Sequence, residues 1–521
     1  MTLLLMSVSS PGINLYEQAG LRRLQGCVLQ LFALFLLLDW TTYKGCDLYI
    51  GLLDYEKAFD FVNRNRLIKD LVHDGADRNL VKNIYNMYEE TFYVPNIDQH
   101  RLGDEIRTMY GVTQGKTSSC NIFSYYTSDM PQRFENRTQE DINLLQLADD
   151  TVTPALSQIS LAGNFQTIFD YSEEKYSKVN YEKTQYMQFS KSPCTEALQV
   201  NQNVQIEPVE PSAGYPWLGF HLSYADNIPD LVAYNFNKKK PNVAKFYAWL
   251  QINGDTPFVI KMRVLYGCMF AALLYSCEAW GNISHIAESL LMIERKALKA
   301  CLGVKQGTAN NLIYAELNRP DIISVIKDRQ YEFLQKFLLL DEQDAIAKKI
   351  WNDFMSDRSY NKPKPYLDYY CALTGDNKNR CIEDNKLNIV SSDRSMDVRY
   401  KLLDFGYNDI LYNSIVNEEF RSLVSRWRLS CHKLHIETGR YKSPKLARHL
   451  RTCKLCGSVE DEHHALFICD AHLNIRLKYR DRLRWTSVST LLSPLSEDEL
   501  NAVGMYLKDI EKNMELLNLT H

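Results

Sequence analysis

Two groups of side chains in this sequence could carry chemistry. Asp149 and Asp150 are adjacent in Leu147-Ala148-Asp149-Asp150, with apolar runs on both sides, and Asp54 closes another apolar run, Leu48 to Leu53. Neighbouring carboxylates repel each other and resist placement beside buried strands. A hard divalent cation removes that penalty, since Mg²⁺ takes oxygen ligands, commonly one or two carboxylates plus substrate phosphates. The matching chemistry is phosphoryl transfer with two ions, one activating the attacking hydroxyl and one stabilising the leaving group. Asp-Asp is equally at home in a surface turn, so the dipeptide alone leaves both readings open. The second group is Cys453, Cys456, His464 and Cys469, in the pattern Cys-x2-Cys-x7-His-x4-Cys, with His463 as an alternative to His464. That is the donor set of a closed tetrahedral zinc site, structural because every ligand comes from protein.

The elements that must hold these groups follow from periodicity. Leu48 to Leu53 suits a buried strand, and Asp141 to Thr153 reads as strand, tight turn, strand, stopped by Pro154. Leu67, Ile68, Leu71 and Val72 predict a helix over 62–73, with Gly75 just past its end. Leu161, Phe165, Ile168 and Phe169 fall at helical spacing, whereas 186–189 and 217–222 read as strands. Residues 13–45 read as a helical lead-in, 267–340 is helical almost throughout, and 355–395 is polar and mixed. Strands alternating with helices, then a helical segment, predict an α+β catalytic domain followed by a helical one.

Composition sets limits. The 521 residues include 45% apolar and 24% charged residues, as in an ordinary globular protein, with a formal net charge of −4. That balance speaks against nucleic-acid binding by the whole chain, because phosphate contacts need Lys and Arg. The C-terminal quarter differs. From Arg421 to Lys454 the basic residues include Arg426, Arg428, Lys433, Arg440, Lys442, Lys445, Arg448 and Arg451, against the single acid Glu437. Arg476, Lys478, Arg480, Arg482 and Arg484 follow. Such runs predict an electrostatic footprint for nucleic acid, the plain alternative being a solvated helix face. Thirteen scattered cysteines suit a reducing, intracellular compartment better than a disulfide framework. The apolar stretch Leu31 to Leu38 is too short to span a bilayer and predicts a buried helix, so no membrane segment is expected.

The order of several short motifs goes further. Leu-Leu-Asp54-Tyr-Glu-Lys57-Ala-Phe59-Asp60 is followed by Tyr110-Gly111-Val112-Thr113-Gln114-Gly115, then Leu147-Ala148-Asp149-Asp150. Val179-Asn180-Tyr181-Glu182-Lys183-Thr184 and Tyr215-Pro216-Trp217-Leu218-Gly219 complete the series. In this order they closely resemble the five palm motifs of reverse transcriptases, and Asp-Tyr-x-Lys-Ala-Phe-Asp with Ala-Asp-Asp resembles the LINE-type (non-LTR) retrotransposon enzymes. Gln18-Ala19-Gly20-Leu21-Arg22-Arg23 looks like the family's stretch just upstream, and 274–281 like the LINE segment after the palm.

The resemblance implies an RNA-directed DNA polymerase with an antiparallel palm sheet packed on helices, a helical thumb or connector and a small zinc-cluster domain. It implies Asp54 and Asp149, with Asp150 beside them, as ligands of two Mg²⁺ ions, Mn²⁺ being an alternative. Phe59 would fill the space of a ribose 2′-hydroxyl, and Gln114 and Gly115 would pack near the nascent base pair. Lys183 would protonate the departing pyrophosphate. On sequence alone, core packing for Phe59 and a solvent-facing charge for Lys183 are the simpler readings. Family spacing favours His464 as the zinc ligand. RNA template, DNA primer and dNTPs are the implied partners, and the chromosomal site of LINE synthesis implies a nuclear location. The expected domains are 13–225 (partial fingers and palm), 226–345 (thumb or connector), 346–420 (linker) and 421–521 (basic domain with the cluster). The second motif departs from the family's Ser-Pro form, reading Lys116-Thr117-Ser118-Ser119-Cys120-Asn121. The chain starts after the family's first finger strands, so truncation at the N-terminus is expected, with neither an endonuclease ahead nor a ribonuclease H behind. Priming would then need a nick made by an endonuclease in trans. The alternative function is a non-catalytic nucleic-acid-binding remnant of a retroelement.

Overall fold

The computed structural model describes residues 26–89, 91–93, 96–97, 100–101, 106–113, 117–134, 144–190, 194–225, 227–342, 345–357, 362–391, 400, 403, 405–454 and 456–519. Gln18 to Arg23 and the site candidates Gln114 and Gly115 lie outside these residues. The chain divides into two compact units that interleave in sequence. One runs to Lys238 and takes in Tyr275–Ile283 and Arg329–Leu373; the other comprises Lys239–Leu274, Ser284–Asp328 and Thr374–His521.

In the first unit, helix α1 (Cys27–Lys44) leads into strand β1 (Leu48–Leu53). Helices α2 (Arg64–His73) and α3 (Arg78–Glu89) follow, then α4 (Thr117–Tyr126). A hairpin of β2 (Leu145–Leu147) and β3 (Asp150–Ala155) comes next, then α5 (Gln158–Glu174) and β4 (Gln185–Phe189). Short strands β5 (Leu198–Gln199) and β6 (Gln205–Pro208) finish a six-stranded sheet of order β2-β3-β1-β4-β6-β5. β7 (Tyr215–Trp217) and β8 (Phe220–Leu222) form a separate hairpin, so the single strand expected over 217–222 is broken by a turn at Leu218-Gly219, both at positive φ.

β1 is central because all but one of its residues are buried and both edges are paired. Gly51 lets α5 approach it: a Cβ there would lie 2.5 Å from the Phe165 ring. α5 starts at Ser157, whose hydroxyl accepts from Ser160 N at 3.1 Å, and sends Leu161, Phe165, Ile168 and Phe169 into the core. Pro154 does not end its strand but pairs with Ile50. The β2 pairing extends only to Val152, so the missing N–H of Pro154 removes no bond on that flank.

α1 corrects the short span expected of Leu31 to Leu38. It has 18 residues, long and apolar enough by length and composition to cross a membrane, and 72% of it is buried inside the protein. Phe32 meets the rings of Phe333, Phe337, Trp351 and Tyr370 at 5.0–6.0 Å. The expected linker also differs. Residues 346–356 and 365–371 are helices that bury Ile350, Trp351, Phe354, Tyr366 and Tyr370 in the first unit. Their polar residues set the mean character of the stretch, while apolar residues at helical spacing decide burial. The expected segments 13–225 and 421–521 each fall within one unit, whereas 226–345 and 346–420 contain residues of both, because the chain returns to the first unit after leaving it.

The second unit is helical. Its elements include α6 (Ser284–Leu302), α7 (Asn310–Glu316), α8 (Asn377–Ser391), α9 (Glu418–Arg428) and α10 (Glu497–Leu519). α9 packs along α10, where a Cβ on Gly504 would strike the Phe420 ring at 2.3–2.5 Å.

Candidate active site and metal centre

Register assembles the acidic site. β1 pairs with β3 so that Leu52 faces Val152 and Leu53 faces Thr151. The β2–β3 hairpin pairs Leu147 with Asp150 across a two-residue turn, in which Ala148 takes φ 57°. Asp54, one residue beyond β1, and Asp149 and Asp150, at the start of β3, thus emerge at the same end of the sheet. Asp150 is drawn above its ordinary carboxylate range by the atoms around it, then by the charges of Asp149 and Asp54. Burial pushes the Tyr215 phenol up to about 12, with Asp54 and Asp150 adding to the shift. The β7–β8 hairpin therefore faces the same cluster.

Asp54 is fixed through its main chain. Its N–H donates to Thr184 Oγ1 at 3.3 Å, and its carbonyl accepts from Asn180 N at 2.8 Å. Tyr55 bridges Val179, and Glu56 N donates to Lys178 O at 2.8 Å. Residues 178–184 are thereby laid beside 54–56, which carries Lys183 towards the carboxylate end. Lys183 itself is exposed. Sequence reasoning singled out Lys183 in this motif and missed Asn180 and Thr184, although both stand in the quoted stretch.

The second motif lies along the other side of the first. Val112 N donates to Phe59 O at 2.9 Å and Gly111 N to Val62 O at 2.8 Å. Gly111 has φ +84°, and a Cβ there would lie 2.9 Å from Asp60 O, so glycine is needed on both counts. The Phe59 ring stacks on Phe123 of α4 at 4.7 Å and stays half-buried. Arg64, also missed, ties this region together. Its guanidinium donates to Gly111 O at 2.7 Å, Thr108 O at 2.8 Å and Tyr88 O at 3.0 Å. Behind the sheet, buried Lys175 pairs with Asp70 and Asp129, each at 2.9 Å, while Tyr171 Oη donates to Asp129 at 2.6 Å. This network joins α2 and the end of α4 to α5.

The Cys/His group converges in the second unit. One ligand atom from each of Cys453, Cys456, His464 and Cys469 lies within 4.8 Å of all the others. Cys453 Sγ is 3.9 Å from Cys469 Sγ, and Cys456 Sγ is 3.3 Å from His464 Nε2. A tight loop presents the first two ligands: Thr452 bridges Val459, Cys453 N donates to Ser458 O at 2.7 Å, and Gly457 turns at φ +73°. Arg476 Nη1 donates to Cys469 O at 2.7 Å. The tightly spaced donor set is compatible with zinc. His464, and not His463, faces the group; His463 instead stacks on Phe467 at 5.4 Å. Burial and the neighbouring thiols push Cys469 up to about 12. Buried His432, bonded to Glu462 at 2.8 Å, braces the loop.

The basic run is less available than its composition implies. Arg421 is fully buried, pairs with Glu418 at 2.6 Å and donates to the carbonyls of Cys301 and Leu302. Arg428 is buried against Glu316 and donates to Leu492 O at 3.1 Å. Arg440 pairs with Glu437, and Arg451 caps the carbonyls of Leu446 and Ile436. Lys433, Lys442, Lys445, Arg448 and Lys454 remain exposed. The expected footprint is thus halved, because partners, which sequence cannot count, hold the rest inside the fold.

Residues 10–222 match the family described as reverse transcriptase (RNA-dependent DNA polymerase). That span carries a reverse-transcriptase domain, whose described residues form mixed helices and sheets. No curated protein matches the chain. Among solved structures, it is similar to the telomerase of Candida tropicalis in complex with a TWJ fragment of telomeric RNA. The two are 12% identical over 62% of this chain and 51% of that one, with a TM-score of 0.28. It is also similar to the telomerase of Candida albicans in the same kind of complex, at 13% identity over 67% and 57% of the chains and a TM-score of 0.29. The chain thus spans a little over half the length of these structures, and a likeness this distant carries no argument about function.

Proposed function

We propose that this protein is an RNA-directed DNA polymerase of the LINE type, which extends a DNA primer on an RNA template. One observation carries the reading: the β1–β3 register brings Asp54 to the Asp149-Asp150 turn, inside the span that matches the reverse-transcriptase family. The donor set fits Mg²⁺, since three carboxylates crowd one sheet end and a divalent cation would offset the repulsion that, after burial, raises the Asp150 pKa. Asp54, Asp149 and Asp150 would hold two such ions, whose chemistry is to acidify a primer 3′-hydroxyl and neutralise the charge of the leaving pyrophosphate.

The rest falls to the chain's own residues. The bonds from Thr184 and Asn180 fix the backbone of Asp54, so its carboxylate stays aimed while substrate exchanges. Lys183, anchored by its N–H to Asn180 Oδ1 at 3.3 Å, would donate a proton to the pyrophosphate oxygen. Phe59, braced by Phe123, would close the space beside the sugar C2′ and favour deoxynucleotides. Gln114 and Gly115 would line the nascent base pair. In the second unit the Cys/His group would hold Zn²⁺ as a structural ion, giving the exposed Lys442, Lys445, Arg448 and Lys454 a fixed scaffold for RNA or DNA.

The test is primer extension on an RNA template by the full chain with Mg²⁺ and dNTPs. Extension by the wild type and its loss in Asp149→Asn are expected. A folded wild type that extends nothing at any Mg²⁺ or Mn²⁺ concentration, yet binds RNA equally well as Asp149→Asn, would leave the protein a nucleic-acid binder without catalysis.

A further inference from the structure

The second unit contains a cavity that the polymerase reading does not use. It lies among the end of α6, the loop 303–309, α7 and α8, and has a volume of about 740 Å³. That falls within the range of about 300–1,000 Å³ typical of small-ligand sites. Its lining is unusual for such a site, however, because polar groups predominate. Arg295 and Lys299 supply two positive charges and Asp321 one negative, among the amides of Asn310, Asn311, Asn385 and Asn388.

Two donors there lack full use. Arg295 Nε is buried without a hydrogen-bond partner, although Nη1 of the same guanidinium reaches Glu288 at 3.2 Å. Buried donors are almost always paired, so this Nε is an unmet donor on a side chain that lines the cavity. Lys299 Nζ donates to Gln306 O and Asn310 Oδ1, each at 2.8 Å, which occupies two of its three protons. Asp321 accepts from Ser324 N at 2.8 Å through one carboxylate oxygen, and its single charge leaves the lining net positive beside Arg295 and Lys299. Carboxamides offer donor and acceptor together, the pairing that base edges and sugar hydroxyls require. Asn385 and Asn388 stand one turn apart on α8 and line the same cavity as the two cations.

We propose that this cavity binds a nucleoside phosphate. Arg295 and Lys299 take the phosphate, and Asn385 and Asn388 take the sugar or base. The same chemistry is presented by a free nucleotide and by the 5′-phosphorylated end of an RNA strand. The site lies wholly within the second unit and requires no catalytic activity of the first.

Equilibrium binding of AMP to the full chain tests the proposal, with 5′-phosphorylated and 5′-hydroxyl versions of one short RNA as competitors. AMP should bind, and Arg295→Gln should weaken it at least about tenfold, the worth of a charge-assisted bond. The exposed Asn388→Ala should weaken it as well, and it guards against a folding defect in the first variant. Asp149→Asn should bind AMP as the wild type does; loss of binding there would put AMP in the acidic site and overturn the proposal. Competition by the 5′-phosphorylated RNA alone would assign the ligand to a strand end, and competition by neither RNA to a free nucleotide. No AMP binding, inorganic phosphate binding as tightly as AMP, or affinity unchanged in both cavity variants would refute it.

Discussion

Replacement of Arg64 by leucine would remove the donor that joins three separate stretches of the first unit. The guanidinium is 9% exposed, lies over the Tyr88 ring at 4.9 Å, and serves the carbonyls of Tyr88, Thr108 and Gly111. A hydrogen bond from a charged donor contributes about 1.5–3 kcal/mol net. Three such bonds would sum to about 5–9 kcal/mol, but leucine also escapes the guanidinium's burial penalty. Thr108 is half-exposed, so its carbonyl can turn to water. The Tyr88 carbonyl keeps the bond from Thr91 Oγ1 at 3.1 Å, so Gly111 O alone is left unsatisfied and Arg64→Leu should lower stability by about 2 kcal/mol. Lysine is a point charge that reaches one of the three acceptors, so Arg64→Lys should recover about 1 kcal/mol of that loss. Urea unfolding followed by tryptophan fluorescence measures both. Because Gly111 opens the stretch that leads to Gln114, primer extension should fall in Arg64→Leu even where the variant stays folded. If both variants unfold within about 0.5 kcal/mol of the wild type, the network is a surface decoration and the reasoning fails.

Phe59→Val should admit ribonucleotides, raising their incorporation relative to dNTPs by about tenfold or more in a primer-extension assay; an unchanged ratio would leave Phe59 as core packing against Phe123. Purified protein should carry about one zinc per chain by elemental analysis, lost in Cys453→Ala but kept in Cys46→Ala, whose thiol is exposed and outside the cluster. Because thiols must ionise to bind, zinc affinity should fall as pH is lowered. Glu294 is 1% exposed and accepts from Tyr266 and Tyr314 at 2.8 Å and from Ile322 N at 2.9 Å, yet burial holds its pKa up at about 7. A carboxyl raised in the folded state contributes stability that is present below its unfolded value near 4.5 and lost as pH rises through about 7. Relative to Glu294→Gln, the wild type should therefore lose about 3 kcal/mol between pH 5 and 8; parallel pH profiles for the two proteins would contradict this.

Much of the site was legible without coordinates. Asp54 at the end of an apolar run and Asp149-Asp150 between two such runs fix strand ends and a turn, because alternation and turn chemistry are local properties. The cysteine spacing likewise picked out four side chains that the fold brings within 4.8 Å of one another. Other features could not be read in this way. The pairing of Leu53 with Thr151 joins residues about a hundred positions apart, and only hydrogen-bond register decides it. The family's spacing favoured His464 over His463, but the residues alone left both open, and the short helical turn decides which ring aims inward. Whether Arg421 and Arg428 greet solvent or Glu418 and Glu316 depends on partners that no local pattern reveals. The stretch 346–373 looked like a linker because its polar residues dominate its composition, while burial follows the few apolar side chains on one helical face. The sequence by itself determined which chemical groups are present and which local elements bear them; the tertiary structure alone decided which of them meet, because burial and pairing are settled by distant segments competing for the same core.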